Sequence, residues 1–79
     1  MSPPVFRHHG YRFFFFSREE ARIHVHVTCA EGEAKSWLEP EVSLAANYGL
    51  SQKQITRVIA IIEDRHDDIA EAWATHFAG

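Results

Sequence analysis

A single cysteine, Cys29, stands among the 79 residues. One thiol cannot close an internal disulfide, so the fold does not depend on an oxidising compartment. No apolar run approaches the roughly 18 residues that suggest a membrane span. The opening segment, Met1-Ser2-Pro3-Pro4-Val5-Phe6-Arg7, lacks the apolar core of a signal peptide, and the expectation is a cytoplasmic protein. No glycine-rich phosphate loop, nucleophile elbow or Cys-x-x-Cys pair is present, which removes three familiar routes to catalysis. Internal repeats and low-complexity linkers are also missing, apart from the run Phe13-Phe14-Phe15-Phe16.

What remains is ordinary globular composition, 46% apolar and 24% charged, in one small domain covering residues 1–79. Such a chain buries only about 60% of the surface its unfolded form exposes, so its stability is marginal unless a partner helps. The formal net charge of −3 is unevenly spread. Residues 1–26 carry Arg7, Arg12, Arg18 and Arg22 against Glu19 and Glu20, whereas in residues 27–79 four cations face nine acids. The whole chain is too acidic to bind nucleic acid through net charge, but its first third is locally basic and could meet phosphate. A solvated, charge-balanced surface is the plainer reading of the same residues.

Residues 1–40 read as β-rich and residues 41–79 as helical. Val5 to His8 forms a first strand, and His9-Gly10 a hairpin turn in which Gly10 supplies positive φ. Tyr11 to Ser17 follows as a strand of high β-propensity whose phenylalanines place rings on both faces. It must be covered on both sides or hidden by a partner. Ser17 to Ala21 reads as a loop.

Arg22 to Cys29 carries the central motif, His24-Val25-His26-Val27. Residues two apart on a strand share a face, so the two imidazoles stand together opposite Val25 and Val27. Ala34 to Glu39 returns as a fourth strand, ended by Pro40. A two-residue turn at Glu31-Gly32 pairs Thr28 with Lys35, His26 with Trp37 and His24 with Glu39.

Val42 to Tyr48 fits a short helix with Gly49 in its left-handed C-terminal position. Ser51 and Gln54 have capping-box spacing. Ile55, Val58, Ile59, Ile62, Ile69, Trp73 and Phe77 then form one apolar stripe. A single helix over residues 52–77 would be about 39 Å long at ~1.5 Å per residue. That overhangs a domain this small, so it must bend near Arg65-His66 or pack its end elsewhere. Trp73 and Phe77 either complete the core or anchor an interface.

The inferred face of His24, His26, Thr28, Lys35, Trp37 and Glu39 supports several chemistries. The histidines can act as general acid and base, and Lys35 can stabilise a phosphate. Trp37 can stack on a base, and Arg12, Arg22 and Glu20 are further candidate binding residues. These groups suit RNA binding, or RNA cleavage without a metal. Equally, His-x-His with a carboxylate is a partial ligand set for zinc, although strand alternation puts Cys29 on the other face. Surface or structural histidines, a snorkelling Lys35 and a core Trp37 are the plain alternatives. No cofactor is assigned.

The chain resembles the bacterial family labelled domain of unknown function 4160 over nearly its full length. The resemblance rests on Pro4-Val5-Phe6-Arg7 with Gly10-Tyr11-Arg12-Phe13, and on Ser17-Arg18-Glu19-Glu20 with Arg22-Ile23-His24-Val25-His26-Val27. It continues through Gly32-Glu33-Ala34-Lys35-Ser36-Trp37-Leu38-Glu39-Pro40 and Asn47-Tyr48-Gly49-Leu50. The family commonly has proline in place of Ala21 and an aromatic in place of Ser36. The second departure is expected to weaken packing beside Trp37.

The resemblance implies a small protein encoded beside a second one, of the type labelled domain of unknown function 2442. Such a pair looks like a toxin–antitoxin module. The expectation is therefore an α+β domain, an antiparallel sheet of about four strands covered on one face by a short and a long C-terminal helix. Its expected role is that of a toxin acting on RNA or the translation machinery through His24, His26 and Lys35. The alternative is a non-catalytic binding module, an antitoxin or adaptor, from the same kind of operon.

Overall fold

The computed structural model describes residues 4–15 and 22–76. Its elements are β1 (Pro4–His8), β2 (Tyr11–Phe14), β3 (His24–Cys29), β4 (Gly32–Trp37), β5 (Ser43–Tyr48), α1 (Gln52–Asp64) and α2 (His66–His76). Among the described residues, five strands form one antiparallel sheet in chain order, β1-β2-β3-β4-β5. The α+β class is as expected, with one strand more.

The first hairpin follows directly from local chemistry. His8 pairs with Tyr11, and the two turn residues both have positive φ, 50° at His9 and 83° at Gly10. That is the geometry of a type I′ turn, whose twist matches the strands it joins.

The second hairpin closes one residue earlier than expected. Cys29 pairs with Gly32, so Ala30-Glu31 is the turn. His24 therefore faces Trp37, His26 faces Lys35 and Thr28 faces Glu33. Each partner differs from the expected one by two positions. A two-residue shift preserves the pleat, so every side chain keeps its expected face.

Residues 42–48 are the main correction. Most of this segment is β5, an edge strand running along β4 from Trp37↔Ser43 to Glu33↔Tyr48. Ser-Leu-Ala-Ala-Asn-Tyr favours helix locally, but backbone pairing to β4 outweighs that weak propensity. Ser36 helps to hold the strand, since its buried hydroxyl lies 3.1 Å from the Ser43 carbonyl. Ser36 pairs with Val25 on the core face, away from Trp37, so its departure from the family pattern bears on the core. Gly49 does take positive φ, 103°, but in the turn after β5. There the Asn47 amide donates to the Leu50 carbonyl at 2.9 Å and accepts from the Leu50 N–H at 3.0 Å.

One sheet face builds the core. Tyr11, Phe13, Val25, Val27 and Ala34 join Leu38, Leu50, Ile55, Val58, Ile62 and Ile69 in a single apolar cluster. Phe6 stacks on Phe13 with ring centroids 4.5 Å apart. Phe13 and Phe15 are buried and Phe14 is half-buried, so rings stand on both faces of this segment as its sequence predicts, with the core face covered and the outer face only partly so, while Phe16 lies outside the described residues.

Helix α1 starts at the expected capping box. The Ser51 hydroxyl accepts from the Gln54 N–H at 3.2 Å, and the Gln54 side chain accepts from the Ser51 N–H at 2.9 Å. Its 13 residues span about 20 Å at ~1.5 Å per residue, the length of a six-residue strand. The helix therefore fits the sheet and then stops. Arg65 caps it at φ −103°, and α2 follows as a separate helix rather than the continuation of one unbroken helix. His66, at the junction, places Nε2 3.3 Å from the Leu38 carbonyl and 3.7 Å from a Glu39 carboxylate oxygen. Glu39 thus serves the helix junction, not His24. Trp73 packs against the core cluster, while the expected loop at 17–21 and Phe77 lie outside the described residues.

Candidate functional site

The sheet face opposite the core is organised in cross-strand rows. The first row is Arg7, Arg12, Thr28, Glu33 and Tyr48. The next contains Phe14, His26, Lys35 and Ala46, and the third His24, Trp37 and Ser43. Strand alternation thus brings His24, His26, Lys35 and Trp37 together, as their spacing predicts.

Both histidines are covered, contrary to the picture of an open imidazole pair. His24 is 0% exposed and His26 9%. The His24 ring is surrounded edge-on by His26 at 5.2 Å, Trp37 at 5.6 Å and Trp73 at 5.1 Å. Trp73 also meets Phe15 at 5.3 Å, so one indole reaches from the core to the outer row. The His24 Nδ1 donates to the Arg22 carbonyl at 2.7 Å, which fixes the ring's tautomer and orientation. His26 stacks with Phe14 at 5.6 Å.

Solvent-facing chemistry gathers instead around Trp37. The Arg22 guanidinium lies 4.2 Å and the Lys35 ammonium 4.6 Å from its ring centroid. Both distances fall within cation–π range. Arg22 is further held by its Nε, which donates to the Glu39 carbonyl at 3.0 Å. A guanidinium plane fixed in this way can carry a stacked base, and both cations can meet phosphate oxygens.

Arg12 stands apart from this group, exposed and directly across from Arg7. Glu20 lies outside the described residues. Arg7 and Tyr48 were not singled out by sequence reasoning. Arg7 was legible, since the His9-Gly10 turn sets it opposite Arg12, whereas Tyr48 needed the fifth strand.

The charge balance differs between the two sides of the molecule. The outer sheet face presents Arg7, Arg12, Arg22 and Lys35 against Glu33, whereas on the helices and their junction Glu63, Asp64, Asp67, Asp68 and Glu71 outnumber Lys53, Arg57 and Arg65. Among the described residues no group of three His, Cys, Asp or Glu side chains could hold a metal ion, and no helix is long and apolar enough to cross a membrane.

No curated protein and no solved structure matches the chain. A family described as Domain of unknown function (DUF4160) matches residues 10–74, which span β2 to β5, α1 and most of α2. The match takes in the whole Arg22–Trp37–Lys35 arrangement and the buried histidine pair, and the chain belongs to the DUF4160 family.

Proposed function

We propose that the protein is a non-catalytic RNA-binding module that uses the outer face of its sheet. The observation that carries this reading is the approach of the Arg22 and Lys35 cations to the Trp37 ring beside a fully covered His24. Stacking and phosphate neutralisation are available at the surface, while the imidazole best placed by sequence for proton transfer is enclosed. A general acid or base must come within hydrogen-bond reach of its substrate. His24 and His26 therefore act as the support that fixes Trp37 and the strand beneath it. In a toxin–antitoxin pair, such a protein acts by occupying RNA, or by holding a cognate partner on it, in the cytoplasm.

The competing reading keeps His24 and His26 as an acid/base pair with Lys35 as electrostatic stabiliser. Its support is the 5.2 Å approach of the two rings. One experiment separates the two. Labelled single-stranded RNA is titrated with the full chain at low salt, followed by anisotropy, and the same RNA is run on a denaturing gel. The binding reading expects saturable association, intact RNA, and a loss of about 1–3 kcal/mol in Trp37→Ala, which removes the indole that holds the Arg22 stacking plane. RNA cleavage that disappears in His26→Ala would establish the catalytic reading, and no association at low salt would remove both.

A further inference from the structure

We propose that Arg7 and Arg12 form a second phosphate anchor on the outer sheet face, which makes the ligand a nucleic-acid strand rather than a single nucleotide. The inference rests on the RNA-binding reading and extends it from one stacking position to a path.

Arg7 and Arg12 are direct cross-strand partners in the first hairpin, and both are exposed. Like charges placed opposite one another on a sheet destabilise it. Proteins commonly relieve such a pair with a nearby carboxylate. Here, among the described residues, neither arginine makes an ion pair. Thr28 is the next residue in the row, and the first acid, Glu33, follows it. Glu33 is two strands from Arg12, about 10 Å away at ~4.8 Å per strand. The pair is therefore an uncompensated, forked cationic site that an anion would complete.

The position of the pair sets the ligand's size. Trp37 lies two strands across from Arg12 and four residues along β4 from Glu33, about 16 Å in total at ~4.8 Å per strand and ~3.4 Å per residue. Lys35 leans over Trp37, so it belongs to the far anchor. No single nucleotide covers that span. A single strand of several nucleotides is needed to reach from one anchor to the other. The row between the two anchors holds Phe14 and the covered His26, which stack on each other.

The test compares uridine dinucleotide with uridine decamer, binding to the full chain at several potassium chloride concentrations. Arg7→Gln/Arg12→Gln is expected to weaken the decamer about ten-fold and to lower its salt slope by about 1.4, since each phosphate contact on a single strand contributes about 0.7. Dinucleotide binding, which uses only the Trp37 end, is expected to stay unchanged. Arg7→Lys/Arg12→Lys keeps the charge and is expected to restore the slope, which separates charge from any effect on the fold. An unchanged decamer slope in the glutamine variant, with Trp37→Ala still defective, would overturn the second anchor alone. Equal losses for dinucleotide and decamer would also overturn it. A decamer that does not bind the native protein would overturn both the anchor and the RNA-binding reading.

Discussion

The Gln54 side-chain amide donates to the Glu31 carboxylate at 3.0 Å, which joins the tip of the second hairpin to the first turn of α1. The same carboxylate oxygen accepts from the Cys29 thiol at 3.3 Å. Gln54 is also the capping-box residue that accepts from the Ser51 N–H. One glutamine thus couples a helix start to a hairpin turn 23 residues away in sequence.

These bonds favour the ionised carboxylate. The Cys29 thiol, then the Gln54 amide and a backbone N–H, hold Glu31 below the ordinary carboxylate range. A depressed folded-state pKa contributes stability above the unfolded value and loses it as pH falls through the folded value. Glu31→Gln is therefore expected to be less stable than the native chain at pH 7, with the difference shrinking as pH falls below the ordinary glutamate value of about 4.3. Urea midpoints at pH 7 and pH 3 check this, and a gap as large at pH 3 as at pH 7 would refute it.

Removing the cap hydroxyl is a simpler perturbation. Ser51→Ala leaves the Gln54 N–H without its side-chain acceptor and is expected to cost about 1 kcal/mol. Denaturant melts of the two proteins would show it as a shift in midpoint with unchanged slope.

Gly32 tests the sheet assignment of β5. A Cβ at Gly32 would run into the Tyr48 carbonyl oxygen, which is backbone and cannot rotate away. Gly32→Ala is expected to pry β5 from β4 and cost about 3 kcal/mol, the upper end for overpacking. Amide exchange should accelerate from Ser43 to Tyr48 more than in β2 and β3. Uniform acceleration across the sheet would count against this local mechanism.

His24 gives a stability prediction that separates support from catalysis. His24→Ala removes a fully covered ring and its hydrogen bond to the Arg22 carbonyl. The expected cost is about 3 kcal/mol, within the range for large-to-small core changes. Chemical denaturation measures it directly, and an unchanged midpoint would show that the ring does not support the outer row.

Much of this was legible from local chemistry. His9-Gly10 announced its turn because two positive-φ residues are what a type I′ connection needs, and Ser51 with Gln54 announced a helix start. The His24/His26 alternation correctly placed both rings on one face with Lys35 and Trp37. Two things were hidden. The Ser43–Tyr48 strand has no alternating pattern and contains two alanines, so only its long-range pairing to β4 reveals it. Enclosure of His24 involves Trp73, nearly fifty residues away along the chain, a distance over which spacing carries no information.

The placement of Trp73 has a dynamic consequence. Ile69 is the one buried side chain of α2, and Trp73 adds its edges to Phe15 and His24. A last helix with one fully buried side chain is expected to open by local unfolding before the sheet does. Each opening lifts the indole from His24 and loosens the layer on which Trp37 rests. By linkage, whatever steadies Trp37 from outside must also hold α2 closed. Amide exchange in the last helix would then report, from a distance, on the occupancy of the sheet face.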